Sequence, residues 1–161
     1  MKKEEQVILG LTDLINKLVS LNRFKMEARL KGYKSSEIHC IEYIGRNVDS
    51  NVTKLAESFY MTRGAISKIT KQLLKKGLVE SYRKPDNKKE IYFRLTRQGK
   101  VIDKVHEKLH KEIQERDQAV FKQVSAEQLD IMLGFAEKYG RHLDAEMKKL
   151  GVDMTNRNIF E

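Results

Sequence analysis

The chain has 161 residues, a mass of 18.8 kDa, one proline, one cysteine and no tryptophan. A single cysteine excludes a disulfide framework, and no apolar run approaches the roughly 18 residues of a membrane span or forms a secretory signal. Because 40% of the residues are hydrophobic, the chain can still bury a core. We therefore expect one soluble, cytoplasmic domain over residues 1–161, with no membrane partner.

Positive charge is concentrated in one quarter of the chain. Residues 62–100 contain twelve basic and three acidic side chains, an excess that equals the formal net charge of +9. The other 122 residues hold 20 basic and 20 acidic side chains and are neutral overall. A polyanion is the natural partner of such a segment, and nucleic acid is the commonest one. The partner that we predict is double-stranded DNA. The alternative interpretation is an ordinary solvated basic surface.

Apolar residues recur every three or four positions through the first half of the chain, which is typical of amphipathic helices. The predicted helices run from Glu5 toward Gly32, from Ser35 to about Gly45, from Thr53 through Phe59 and from Thr62 to Gly77. Ser35, Thr53 and Thr62 are suited to the N-cap position, and Gly77 ends its helix as a C′ glycine does. The polar residues 47–52 connect the second helix to the third.

After Gly77 the spacing of apolar residues changes from about 3.6 to 2, which predicts a β-hairpin. The hairpin has a first strand with Leu78, Val79 and Tyr82, a five-residue basic tip at 85–89, and a second strand with Ile91, Phe93 and Leu95 on its inner face. Thr96 then caps a helix of about 28 residues, roughly 40 Å long. Ser125 and Gln128 make a capping box that begins a last amphipathic helix.

These elements predict a mostly α-helical fold with a small β-hairpin wing, the winged helix-turn-helix. Its second short helix enters the major groove, and its hairpin reaches toward the neighbouring minor groove. We assign residues 35–96 to the DNA-binding part, 1–34 and 97–150 to dimerisation helices, and 151–161 to a polar tail that frays. A helix of about 40 Å is longer than the body of a small domain. Its simplest partner is the same helix of a second copy, which predicts a homodimer.

Nine polar residues are candidates for DNA contact. They are Thr62, Arg63, Ser67, Lys68 and Lys71 on the outer face of the fourth helix, and Lys84, Asn87, Lys88 and Lys89 on the wing. Arg63 lies at the N-terminal end of its helix, where base contacts concentrate, and a bidentate pair with guanine contributes about 1–3 kcal/mol of discrimination. Lys68 and Lys71 are expected to hold phosphates. A non-specific architectural DNA-binding protein is the alternative.

Three segments carry a resemblance to a known family. They are Leu55-Ala56, the run Thr62-Arg63-Gly64-Ala65-Ile66-Ser67-Lys68-Ile69 continuing to Lys76-Gly77-Leu78-Val79, and Phe93-Arg94-Leu95-Thr96-Arg97-Gln98-Gly99. With them the chain resembles the MarR family of bacterial transcription regulators over nearly its full length. The resemblance implies a triangular homodimer with interlocked terminal helices. It also implies a repressor that binds a palindromic operator and responds to a small ligand.

The wing departs from the pattern of the family it resembles. That pattern has Asp-x-Arg shortly before the second strand, where this chain has Asn87-Lys88-Lys89, with the aspartate displaced to Asp86. Lys89 takes the place of the wing arginine. Because an ammonium group is more strongly hydrated than a guanidinium, we expect the wing to contact phosphates with less sequence selectivity.

Three histidines are candidate metal ligands. His106 and His110 are four residues apart on the long helix, a spacing that lets both imidazoles reach one metal ion. With His39 they fall on the zinc-binding positions of the family's zinc-uptake repressors, which the chain resembles here. The Ser-x-Glu-x-His-x-Ile-Glu segment around His39 also resembles the family's fatty-acid-synthesis repressors, which respond to acylated carrier protein. Zinc, an acyl-type effector and a structural role therefore remain open, with Glu42 and Glu107 as candidate fourth ligands.

Cys40 is the single cysteine, and it lies between two isoleucines. It could be a peroxide-sensing thiol or, with a histidine, the nucleophile of an enzyme, but a small buried apolar residue is the expected role. No Gly-rich loop or oxyanion-type motif supports catalysis, so we predict that the protein is not an enzyme. Four aromatic residues could line a ligand pocket or pack in the core: Tyr33, Tyr43, Phe59 and Tyr60.

Overall fold

A computed structural model describes residues 1–151, which form six α-helices and a two-stranded antiparallel hairpin. The elements are α1 (Lys3–Arg29), α2 (Ser35–Arg46), α3 (Val52–Phe59), α4 (Arg63–Lys75), β1 (Val79–Lys84), β2 (Asn87–Leu95), α5 (Arg97–Phe121) and α6 (Ala126–Lys149). The predicted winged helix-turn-helix is confirmed. Most of the polar tail lies outside the described residues. None of the helices in residues 1–151 combines the length and hydropathy that a membrane-spanning helix requires.

Two apolar clusters organise the chain, and α2 belongs to both. The larger cluster joins α2, α3, α4 and the hairpin, with Ile41, Leu55 and Ile66 fully buried. The smaller cluster packs Ile38 of α2 against α1 and α5 at residues such as Leu109. The helix α2 therefore connects the core of the long helices to that of the helix-turn-helix.

The junction between the hairpin and α5 explains the Leu-Thr-x-x-Gly pattern. Thr96 N-caps α5 by accepting a hydrogen bond from the Gly99 amide at 3.1 Å, and its hydroxyl donates to the Gly77 carbonyl at 2.7 Å. A Cβ atom at Gly99 would lie 1.9 Å from the carbonyl oxygen of Leu78. Only glycine therefore permits this close approach of α5 to the α4–β1 connection.

Several predicted boundaries are wrong in detail. Lys34, and not Ser35, is the N-cap of α2, and its amide donates to the Glu37 carboxylate at 2.9 Å. Asn51, and not Thr53, caps α3 through its side-chain oxygen. The long helix α5 has 25 residues, slightly fewer than expected. An N-cap is recognised in a sequence from the type of one or two residues. A neighbouring polar residue can therefore occupy the N-cap position instead of the predicted one.

The hairpin also differs from the prediction. Asn87 already belongs to β2, so the tip is shorter than the five residues expected. Tyr82 pairs with Tyr92 and Lys84 with Asn87, which leaves four residues of β2 opposite one of β1. This irregularity is a β-bulge, and a bulge changes which side chains of the strand face inward and which face outward. Ile91 is consequently exposed and Tyr92 is buried, whereas the alternation predicted the reverse.

The terminal helices leave their apolar residues uncovered in one protomer. No residue of α6 is buried, and α1 buries only Met26. The exposed apolar side chains on these helices include Leu14, Ile15, Leu18, Leu21, Phe24, Ile131, Met132, Leu133, Phe135 and Leu143. Soluble monomers rarely expose contiguous apolar faces of this extent, so these faces support the expected homodimer.

Candidate nucleic-acid interface

The helix α4 has a cationic face that is exposed and an apolar face that packs in the core. Its first turn is capped by Thr62, whose hydroxyl accepts a hydrogen bond from the Ala65 amide at 3.2 Å. The inner positions, including Ile66 and Leu73, are fully buried. The predicted contact residues Thr62, Arg63, Lys68 and Lys71 are exposed, and Ser67 is half-buried. Within residues 1–151, none of the three cationic side chains takes part in an ion pair, so their charges are available to a ligand.

The end of α4 is held to the α1–α2 corner by an ion pair with a buried carboxylate, which sequence reasoning missed. The Lys76 ammonium donates to both carboxylate oxygens of Glu37, at 2.9 and 2.7 Å, and to the Gly32 carbonyl at 3.1 Å. Glu37 is only 3% exposed. The ammonium also lies 5.2 Å from the centroid of the Tyr33 ring. The sequence does not indicate this ion pair, because its two residues are 39 positions apart along the chain.

The wing residues fall into two groups. Lys88 and Lys89 are exposed, as expected for contacts with DNA. Asn87 instead supports the turn, accepting a hydrogen bond from the Glu90 amide at 3.3 Å. The Lys84 ammonium is already paired with the carboxylate of Asp49, in the α2–α3 connection. Of the predicted wing residues, Lys88 and Lys89 are therefore exposed, whereas Asn87 and Lys84 have partners within the protein.

A histidine cluster lies where α2 meets α5. His106, Glu42 and His110 offer ligand atoms that all lie within 4.8 Å of one another. The Nε2 atoms of His106 and His110 are 3.1 Å apart, and Nδ1 of His106 is 3.6 Å from the Glu42 carboxylate. His39 is adjacent, its ring centroid 5.9 Å from that of His106, but it is not among the three converging groups. Glu42 also pairs with Arg46 at 2.8 Å.

Burial keeps His106 in the form that a metal ion needs. The side chain is 1% exposed, and this desolvation lowers the pKa of His106, opposed in part by the negative charge of Glu42. Burial likewise lowers the pKa of His39. Both imidazoles are therefore neutral at pH 7, and neutral imidazole is the ligand form.

A cavity of about 180 Å³ opens beside the histidines, between α1, α2 and α5. Its walls are mostly apolar, with Met26, Leu109 and Ile113 among them. The polar residues that line it are the three histidines, Asn22, Arg23 and Ser35. Small-molecule sites commonly combine apolar walls with a few convergent polar groups. None of the four aromatic candidates lines this cavity. Tyr43 and Phe59, whose ring centroids are 5.8 Å apart, pack against the DNA-binding core, which is the second of the two roles considered for them.

Cys40 is buried, and its thiol is expected to be unreactive. Burial raises the pKa of its thiol to about 12, with a smaller contribution from the charge of Glu37. We expect iodoacetamide at pH 8 to modify Cys40 at least about 100-fold more slowly in the native protein than in urea, because the thiolate is the reacting form. Mass spectrometry over time measures both rates. Equal rates would contradict this and favour a thiol sensor.

Two short helices, the second with an exposed cationic face, followed by a basic hairpin define a protein of the winged helix-turn-helix class. The family model described as MarR family matches residues 34–91. The chain is 35% identical over 111 residues to the HTH-type transcriptional regulator PchR of Bacillus subtilis, covering 69% of this chain and 66% of PchR. It is 30% identical over 105 residues to the uncharacterized HTH-type transcriptional regulator YvnA of the same organism, covering 65% and 67%.

The chain belongs to the MarR family. Its relatives are transcriptional regulators and not enzymes. It spans just under two thirds of the length of PchR. Among solved structures, it is similar to FabT of Streptococcus pneumoniae in complex with DNA, with a TM-score of 0.77 and 21% identity over 89% of this chain and 99% of that one. At this identity the likeness establishes the fold.

Proposed function

We propose that the protein is a homodimeric transcriptional repressor that binds a palindromic DNA operator and responds to a small ligand. The observation that carries this proposal is the exposed, unpaired cationic face of α4 beside a basic wing, with the whole net positive charge in residues 62–100. Such a surface attracts the phosphate backbone and presents side chains to base edges. A regulator of this kind acts on the chromosome, which places it in the cytoplasm.

The proposed DNA contacts divide by role. Arg63, in the first turn of α4, reads base edges in the major groove, with Thr62 and Ser67 beside it. Lys68 and Lys71 bind phosphates, and Lys88 and Lys89 of the wing do the same across the adjacent minor groove. Asn87 supports these wing lysines by holding the turn. Lys84 is not in this set, because its ammonium group is already paired with Asp49.

The test compares Arg63→Ala with Lys71→Ala. We expect Arg63→Ala to reduce the preference for a selected operator over random duplex about tenfold or more, since a bidentate base contact contributes about 1–3 kcal/mol of discrimination. Lys71→Ala should weaken both duplexes alike and reduce the salt slope by about one. Fluorescence anisotropy over a range of salt concentrations, after operator selection from a random library, measures both effects.

Two outcomes would count against the proposal. A wild-type protein with no preference for any duplex would be a non-specific architectural binder, because a regulator needs a large specificity ratio. An Arg63→Ala variant that loses specific and random affinity equally would remove Arg63 from base reading.

A zinc-responsive repressor of the same fold is a second candidate. The carboxylate of Glu42 and the imidazoles of His106 and His110 are ligand types that zinc accepts, and they converge within 4.8 Å. His39 lies next to them, its ring centroid 5.9 Å from that of His106, and would be the fourth ligand. Bound zinc would supply a cross-link between α2 and α5, and so would bias the angle between the long helices and the DNA-binding part.

Calorimetry with metal-stripped protein tests the zinc site. We expect binding tighter than about micromolar at pH 7.5. Since protonated imidazole cannot bind metal and burial lowers the pKa of His106, binding should weaken only at a pH below about 6.5, the ordinary histidine pKa. His106→Ala should abolish binding, and His142→Ala, on α6, is the matched control that should leave it intact. No binding in this range would return the histidines to a structural role and make an apolar, acyl-type ligand in the adjacent cavity the leading effector.

A further inference from the structure

The α2–α3 connection contacts the outer half of the wing through the carboxylate of Asp49. We call its contacts with Tyr82 and Lys84 the clasp. Oδ1 of Asp49 accepts a hydrogen bond from the Tyr82 hydroxyl at 2.7 Å, and Oδ2 accepts one from the Lys84 ammonium. Asp49 has a φ of 57°, in the left-handed region that non-glycine residues seldom occupy and in which aspartate is enriched. This backbone conformation is one that the surrounding contacts must hold in place.

The same connection also holds the base of the wing, by a different contact. The Phe93 amide of β2 donates to the Ser50 carbonyl at 2.8 Å, and Ser50 is fully buried. This backbone bond fixes the hairpin near the core. The backbone bond does not reach the outer half of the wing. Side-chain contacts orient that half, and Asp49 makes two of them, with Tyr82 and Lys84.

The surroundings of Lys84 make it a poor phosphate contact. Its ammonium lies 5.0 Å from the centroid of the Tyr92 ring as well as on Asp49. The hydrogen bonds from Lys84 and Tyr82 lower the pKa of Asp49, so its carboxylate is ionised at neutral pH. A phosphate that approached Lys84 would also approach this negative charge. Lys88 and Lys89, by contrast, are exposed and make no ion pair within residues 1–151.

We propose that Asp49 is a positioning residue that sets the angle of the wing to the reading helix α4, and that Lys84 anchors the wing and does not bind phosphate. The proposal rests on the DNA-binding function proposed above. It assigns the two halves of the wing different tasks, with Lys84 and Tyr82 turned inward to the clasp and the tip lysines turned outward to the groove.

The test uses Asp49→Ala, Lys84→Ala and the double variant, with Lys88→Ala as the matched control. The double variant has the wild-type net charge, so a change in its DNA affinity reports the orientation of the wing and not a change in net charge. We expect the double variant to bind operator about tenfold more weakly with an unchanged salt slope. We also expect Asp49→Ala to cost less affinity in the Lys84→Ala background than in the wild type, since residues that share a contact are coupled and their effects are not additive. Lys88→Ala should reduce the salt slope by about one.

A second measurement needs no DNA. Amide hydrogen exchange of the free protein should rise across the outer wing, near Tyr82 and Tyr92, in Asp49→Ala and in Lys84→Ala, and it should stay at the wild-type level in Lys88→Ala. Asp49→Asn, which keeps an acceptor for Tyr82 but loses the ion pair, should be intermediate. Circular dichroism checks that each variant is folded.

Each contrary result has a distinct meaning. A Lys84→Ala slope reduced by about one, as in Lys88→Ala, would make Lys84 a phosphate contact and overturn the proposal. Unchanged wing exchange in Asp49→Ala would overturn it as well, because no clasp would have been lost. A wild-type protein without operator preference would refute the proposed function alone, since the exchange measurement still decides whether Asp49 holds the wing.

Discussion

A Leu133→Asp variant is expected to be monomeric and to lose operator affinity by about 100-fold or more. Leu133 lies on α6, which buries none of its residues within one protomer, and its side chain is 55% exposed there. In a two-fold dimer each substitution occurs twice at the interface. An ionised carboxylate in an apolar interface is costly to desolvate, and an obligate interface of more than about 2,000 Å² depends on such apolar contacts.

The control for this variant is Lys138→Gln, which lowers the net charge by the same one unit on the same helix. It should stay dimeric and bind operator as the wild type does. Sedimentation at micromolar concentration gives the oligomeric state, and anisotropy gives the affinity. Two recognition helices about 34–36 Å apart are needed to engage successive major grooves, so the monomer loses cooperation between half-sites. A folded monomeric variant with wild-type affinity would contradict the dimer.

Lys76→Met is expected to destabilise the protein by about 3 kcal/mol. The substitution leaves the carboxylate of Glu37, 3% exposed, without the ammonium that donates to both of its oxygens. Removal of one partner of a buried pair costs about 3–5 kcal/mol, and the lower end applies because the Lys76 side chain is 33% exposed. The remaining hydrogen bond, from the Lys34 amide, cannot neutralise the charge.

Urea denaturation at one fixed protein concentration measures this loss, since dimer stability depends on concentration. The double variant Lys76→Met with Glu37→Gln should recover much of it, because no buried charge is then left unpaired. Lys75→Met is the control. Lys75 is the exposed neighbour in the last turn of α4, and its substitution should change the free energy of unfolding by less than about 0.5 kcal/mol. Equal losses at both lysines would show that the ion pair is not what stabilises this corner.

The sequence by itself determined the features that arise from local chemistry. Helical spacing of apolar residues placed all six helices, because that spacing follows directly from the backbone period. The caps at Thr62, Thr96 and Ser125 were correct, since a cap joins a side chain to an amide only three residues away. The concentration of charge in residues 62–100 likewise depends on composition alone.

Only the tertiary structure decided which distant side chains meet. It brought Glu42 of α2, one of two candidate ligands between which the sequence did not decide, to within 3.6 Å of His106 of α5. It also paired Asp49 with Lys84, 35 positions away, a contact that neither segment indicates by itself. The physical reason is that a contact between elements depends on how their apolar faces pack, and packing geometry is not a local property of either segment.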